Sequence, residues 1–415
     1  MTLAGPIVAA DPTAVGLDQD RLGRIDRHLA RYVDDGRLPG WQMAVLRHGQ
    51  VAHHSTYGHR DLRDDAAAGG AWTDDTIVRL YSMTKPITSV AAMMLYEEGA
   101  FELKTPIAAF LPAFATTPVY RTGPSHRPVT EPQAEPIRMW HLLTHTSGLT
   151  YGFHHSHVTD AIYRAAGFEF GVPKGLDLAE CCDRWASMPL AFQPGSEWLY
   201  GVSTDVLGRI VEVLSEQSLA DFFRSRVLDP LGMVDTDFHV PADRQDRAAA
   251  LFVPHAETGL AHQMRSPTPS STPTMLGGGG GLWGTMADYL RFCSFLLRGG
   301  ELDGTRLLSP RTVDWMTTNH LPANADLEAF GRPLFAETSY DGVGFGLGFS
   351  VTLDPAANKV PSSVGEFSWG GAASTVFWCD PVEDLAVVFL TQLLPSDTHP
   401  LRSELKQLVS QSLVD

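Results

Sequence analysis

Residues 81–99 read "YSMTKPITSVAAMMLYEEG", and the meaning of the first five decides what kind of molecule this is. Ser82 stands one helical turn before Lys85, where an apolar run begins. Ile87, Val90, Ala91, Met94 and Leu95 share one face of a helix expected over 87–98, which Gly99 stops. Positions i and i+3 lie on the same helix face, with Cβ atoms about 5–6 Å apart. A serine hydroxyl is a weak nucleophile that needs a base within hydrogen-bond reach. The spacing suits a nucleophile and its activating amine, and the positive end of the helix dipole favours negative charge there. The bland reading is a helix start with a chance lysine. The pattern alone is not distinctive, because Ser403 and Lys406 in "RSELKQL" match it too. That copy lies midway along a charged C-terminal helix, where Lys406 is expected to face water.

Two further stretches offer partners. In "WLYGVSTDVLGRIVEVLS", Tyr200 precedes a helix for which Ser203 is the expected N-cap. A phenol beside a lysine can relay a proton; alternatively Tyr200 simply packs with Trp198. In "SWGGAAS", 368–374, paired glycines on a strand allow close backbone approach, and N–H groups on such an edge can hold an oxyanion. An ordinary bulge reads equally well from that fragment.

The surrounding chain sets the architecture. A helix is expected over 18–35, with Leu22, Ile25, Leu29 and Tyr32 on one face. Residues 41–58, "WQMAVLRHGQVAHHSTYG", read as a hairpin around a His-Gly turn. Residues 116–136, rich in proline and turn formers, form a long loop of the kind that often shapes a site entrance. Helical patterns dominate from 138 to about 230. The C-terminal portion alternates as strands do, and a last helix is expected over 399–413. Strands at both ends and helices between them predict an α/β (α+β) fold. Its antiparallel sheet is built from both termini and flanked by helices, with a mostly helical lobe beside it. Residues 1–85 and 240–415 are assigned to a discontinuous sheet domain and 86–239 to the helical one, with the site in the cleft between them.

Composition excludes several classes. The 415 residues are 44% hydrophobic and 19% charged, which suits a globular protein with a sizeable core. A net charge of −17, without a basic run, makes nucleic acid and anionic membranes poor partners. No apolar run reaches the ~18 residues of a membrane span. The opening "MTLAGPIVAADPTAVG" lacks a basic n-region, and cysteines 181, 182, 293 and 379 have neither zinc nor disulfide spacing. A reducing cytoplasm is expected. "GGGGG" at 277–281 lacks the Lys-Ser/Thr of a phosphate loop and reads as a backbone bend near the cleft. His154, His155 and His157 have no second ligand cluster, so no metal and no cofactor is expected. His145 is read as fixing a loop. The absence of G-x-S-x-G argues against an α/β-hydrolase.

Together "SMTK" (82–85), "LLTHTSGLTYGF" (142–153), "YGVSTDVLGRIVEVLS" (200–215), "GGGGGLWGTMADYLRFCSFLLRGGELDG" (277–304) and "WGG" (369–371) resemble the serine-active penicillin-recognising superfamily. That group includes class C β-lactamases, D-alanyl-D-alanine carboxypeptidases and family VIII carboxylesterases. The resemblance is nearest to the family VIII esterases, which carry W-G-G where the others carry K-T-G. It implies a β-lactamase/transpeptidase-like fold with Ser82 acylated, Lys85 its basic partner and Tyr200 the catalytic tyrosine. It also implies an oxyanion hole from the backbone N–H groups of Ser82 and Ala372, and a substrate pocket at Trp369, Gly370, Gly371 and Val202. Val202 stands where an asparagine is usual, and Trp369 where a lysine would pair a substrate carboxylate. Both changes favour neutral esters, and the resemblance implies hydrolysis of short-chain acyl esters. A β-lactamase, a peptidase, an acyltransferase and a non-catalytic binding protein are the alternatives.

Overall fold

The computed structural model describes residues 10–62, 70–332 and 339–415. Both ends of the chain supply strands to one sheet: β1 (Gly40–Arg47), β2 (Gln50–Gly58), β3 (Val343–Phe345), β4 (Ser350–Thr352), β5 (Phe367–Gly370), β6 (Val376–Asp380) and β7 (Leu385–Leu390). Their order is β3-β4-β5-β6-β7-β1-β2, and every neighbouring pair is antiparallel. Five helices position the site: α1 (Gln19–Asp34), α2 (Thr84–Glu97), α3 (Ser203–Ser215), α4 (Met286–Leu297) and α5 (Leu401–Ser410). The expected hairpin closes through His48 (φ 50°) and Gly49 (φ 72°). Two left-handed residues give the turn whose twist matches the flanking strands.

Alternation along the strands divides the core in two. Met43 and Val45 point to one face, where Val387 and Phe389 join them against Leu22, Ile25 and Leu29 of α1 and Leu405 of α5. Ala44 and Leu46 point to the other, joining Phe377, Val388 and Leu390 in a larger core shared with α2, α3 and α4. The sheet is thus covered on both faces.

Three expectations need correction. Helix α2 begins at Thr84 after a 3-10 turn over Tyr81–Met83, and every residue from Thr84 to Leu95 is buried. One apolar face was expected, but α2 also packs against α3, so its polar side faces protein. Ser203 does not cap α3. It is the first helical residue, after N-cap Val202, and its hydroxyl bonds that of Ser147 (2.8 Å). Residues 116–136 carry a short hairpin (Val119–Thr122 with Val129–Glu131) pinned by Gln133 to the carbonyls of Phe114 and Thr117. They do not line the cleft that holds Ser82. Among the described residues no helix is long and apolar enough to cross a membrane.

One buried carboxyl makes stability depend on pH. Asp288, in the first turn of α4, accepts from the Asp235 N–H (2.8 Å) and the Thr236 hydroxyl (2.7 Å). Burial outweighs these bonds and pushes its carboxyl up to about 6. The folded state therefore holds this proton more tightly than the unfolded chain. The contribution is fully present below the unfolded value of 3.8 and is lost as pH rises through about 6. Asp288→Asn keeps an acceptor oxygen and cannot ionise. It is expected to be more stable than wild type by roughly 2–3 kcal/mol at about pH 8, with no advantage near about pH 4. Urea melts at the two pH values check this.

Candidate active site

Ser82 is set by a strained turn. Tyr81, immediately before it, has φ 47°. A bulky non-glycine residue in that region costs roughly 1–3 kcal/mol and persists only where its surroundings enforce it. Here Leu80 donates its N–H to the Leu282 carbonyl (2.9 Å), Met83 returns an N–H to the Leu80 carbonyl (3.1 Å), and the Tyr289 hydroxyl donates to the Met83 carbonyl (2.9 Å). The backbone is clamped on both sides of the serine, which lines the cleft at the N-terminus of α2.

Lys85 is 2% exposed, and its ammonium has three acceptors: the Gly279 carbonyl (2.7 Å), the Tyr151 hydroxyl (3.0 Å) and Ser82 Oγ (3.3 Å). An ammonium carries three donors, so a protonated lysine is fully satisfied here. The Gly279 N–H donates to Asp205 Oδ1 (2.9 Å), placing a carboxyl one peptide unit from the amine. Burial raises the Asp205 carboxyl, while the positive charge of Lys85 and the Gly279 N–H pull it back. A side chain at Gly279 would displace Asp205, since a Cβ would lie 2.5 Å from its Oδ2. The "GGGGG" stretch is therefore the backbone bend expected near the cleft. It aims carbonyls at Lys85 and Thr88 (2.6 Å from Gly278), the wrong polarity for a phosphate.

Tyr200 reaches this centre from 118 residues away, but not by the expected contact. Lys85 Nζ sits 4.5 Å from the centroid of the Tyr200 ring, within the range of a cation–π contact. The phenol bonded to the amine belongs to Tyr151, a residue inside "LLTHTSGLTYGF" that sequence reasoning left unweighed. Burial first, then the nearby Asp205 and Tyr200, raises the Tyr151 hydroxyl well above the usual phenol range, so it stays protonated. The Tyr200 hydroxyl accepts from Trp369 Nε1 (3.3 Å), and its carbonyl accepts from His154 Nε2 (2.7 Å). His145 packs its ring on Tyr200 (4.9 Å), and its backbone carbonyl accepts the Leu199 N–H (2.9 Å), holding that loop. Burial drives the His145 imidazole well below its ordinary range, so it is neutral.

The second wall is the end of β5. Pairing with β4 covers only Phe367 and Ser368, whereas pairing with β6 runs through Gly370, so the Trp369–Gly371 edge opens to the cleft. Trp369 stands against Tyr200 and Phe345, 5.3 Å from each ring. Gly371 gives its N–H to the Thr375 carbonyl (2.8 Å), and a Cβ there would lie 2.4 Å from the Leu80 carbonyl oxygen. Glycine is what lets β5 touch the serine turn. Ser82 and Ala372 thereby meet on one cleft lining together with Gly370 and Gly371.

Val202 does not belong to that lining. It is 4% exposed in the main core. The preceding Gly201 packs on the Leu149 carbonyl, 2.2 Å from where a Cβ would stand. The three histidines diverge: His154 serves Tyr200, His155 faces Glu169 (3.4 Å), and His157 caps the helix Val158–Ala165. Among the described residues no group of His, Cys, Asp and Glu could hold a metal ion. Lys406 does not face water. Its amine pairs with Glu366 and lies 5.8 Å from the Trp378 ring, while the Ser403 hydroxyl donates to the Pro400 carbonyl (3.1 Å). Glu366 is buried beneath α5 and requires a cation there. The second S-x-x-K copy is a structural pair.

A family model described as Beta-lactamase matches residues 25–411. Protein Rv1367c of Mycobacterium tuberculosis is 38% identical over 368 residues, spanning 87% of this chain and 88% of the relative. Esterase EstB of Burkholderia gladioli is 32% identical over 402 residues, spanning 92% and 93%. Among solved structures EstCE1, described as a hydrolase with promiscuous acyltransferase activity, matches with a TM-score of 0.77 at 26% identity, over 94% of this chain and 98% of that one. The fold is β-lactamase/transpeptidase-like over nearly the whole chain.

Proposed function

The chain belongs to the beta-lactamase family, and from that premise we propose a serine carboxylesterase that hydrolyses short-chain acyl esters through an acyl-enzyme on Ser82. The observation that carries this reading is the buried amine of Lys85, within hydrogen-bond reach of Ser82 Oγ and under the face of Tyr200. Once neutral, the amine has a lone pair for the serine proton. Ser82 Oγ then attacks the ester carbonyl, and the oxyanion takes the N–H groups of Ser82 and Ala372. The proton taken up by Lys85, whose charge faces the Tyr200 ring, passes to the departing alcohol, and water deacylates the serine. No cofactor takes part.

Preference for a neutral ester over a β-lactam or peptide rests on Trp369. Where the resemblance expects a cation for a substrate carboxylate, an indole packs tilted against Tyr200 (54°) and edge-to-face with Phe345 (88°). The name of Esterase EstB supports the same choice. Acyl transfer to a second alcohol is the alternative favoured by the description of EstCE1. The substrate is a small molecule, and a reducing cytoplasm suits four cysteines that are all free and buried. Turnover of p-nitrophenyl butyrate should exceed that of a cephalosporin at equal concentration. A cephalosporin turned over faster overturns the ester reading, and an ester of an added alcohol as main product makes the protein a transferase.

A further inference from the structure

An aromatic series runs from the catalytic amine to open water. Tyr151, bonded to Lys85, stacks on Phe153 at 4.8 Å and 18°, and Phe153 lies parallel to Phe170 at 6.1 Å and 5°. Phe153 lines the same cleft as Ser82. Phe170 is 84% exposed, more than any other large hydrophobic side chain among the described residues. Its position is built rather than loose. Two residues earlier Phe168 is 5% exposed and packs on Trp185 (5.6 Å), and its carbonyl presses on Gly152, where a Cβ would lie 2.2 Å from that oxygen. The loop is nailed down by one phenylalanine and holds the next one out. Leaving a phenylalanine side chain in water forfeits about 1.5–3 kcal/mol of burial, so a role in binding is the natural return.

We propose that Phe170 and Phe153 form an outer subsite for a large flat or extended apolar alcohol portion of the ester. This rests on the esterase reading above and names its substrate class: a short acyl group on a bulky apolar alcohol. The side of the ester follows from the chemistry. The departing oxygen must receive its proton from the Lys85 cluster, so the alcohol lies towards Tyr151 and its aromatic neighbours. The acyl oxygen points the other way, to Ser82 and Ala372 on the β5 wall. Offset-parallel rings such as Phe153 and Phe170 present faces on which a flat apolar group stacks.

Two probes of similar size separate the sides: 2-naphthyl acetate carries the aromatic group on the alcohol, ethyl 2-naphthoate on the acyl part. Phe170→Ala, at so exposed a site, leaves the fold intact. It is expected to lower the ratio of kcat/KM for 2-naphthyl acetate over ethyl 2-naphthoate by roughly 3- to 10-fold, mainly through KM. An unchanged ratio, or a fall in the acyl-side probe alone, overturns the proposal. Calorimetric binding of 2-naphthol to Ser82→Ala protein reads the subsite without catalysis, and Phe170→Ala in that background is expected to weaken it by about the same factor. Equal affinity in the two proteins refutes the subsite. Weakened binding by a protein that hydrolyses neither ester refutes the esterase reading and leaves the subsite standing.

Discussion

Lys85→Met is expected to lower kcat for p-nitrophenyl butyrate by about 10³-fold, within the range supplied by positioned acid–base groups. Methionine nearly matches lysine in length, so the buried channel beside α2 stays filled and the variant folds. What disappears is the side chain hydrogen-bonded at once to Ser82 Oγ, the Tyr151 hydroxyl and the Gly279 carbonyl. The serine then has no base, and the Gly279 carbonyl loses its partner in a buried place. Leaving that acceptor unpaired costs roughly 1–3 kcal/mol, seen as a lower Tm. Full circular dichroism with lost turnover is the expected pair of readings. Retained turnover means that the proton leaves the serine by another route.

Gly371→Ala is expected to lower kcat by about 10²-fold with much less change in KM. The added methyl would lie 2.2 Å from Thr375 Oγ1 and 2.4 Å from the Leu80 carbonyl oxygen, both impossible without movement. Thr375 Oγ1 can rotate away; the Leu80 carbonyl cannot, because it accepts the Met83 N–H that shapes the serine turn. β5 must therefore withdraw, separating the N–H of Ala372 from that of Ser82. Gly370→Ala meets the end of the Arg402 side chain first (2.3 Å) and backbone, the Thr375 carbonyl oxygen, only at 2.9 Å, so its loss should be the smaller. Comparing kcat of the two variants checks the argument, and equal losses tell against an oxyanion hole shared between β5 and the serine turn.

Much of this arrangement is legible in the sequence because it rests on local rules. Period-two alternation places Met43 and Ala44 on opposite faces of the sheet, the His48-Gly49 turn sets the hairpin, and Gly99 (φ 78°) ends the helix that follows Ser82. The pair Ser82 and Lys85 is legible for the same reason, being one helical turn apart. What stayed hidden is set by contacts between distant segments. Tyr151 and Gly279 meet Lys85 across 66 and 194 residues, and no local pattern announces that a phenol and a carbonyl will complete an ammonium's coordination. Asp205 lay in plain view in "YGVSTD", yet only the fold reveals that it holds the peptide that holds the lysine. Val202 and Lys406 were misplaced for the converse reason. Burial of Val202 in the main core, and a buried Glu366 below α5, override what spacing and charge suggest.

The most direct measurement is covalent labelling with a fluorophosphonate, read by intact mass and peptide mapping on wild-type and Ser82→Ala protein. A single adduct on the peptide containing Ser82, absent from the variant and formed far more slowly in Lys85→Met, is the predicted result. Label on any other serine, or equal labelling of Ser82→Ala, contradicts the assignment of Ser82 as the acylated residue.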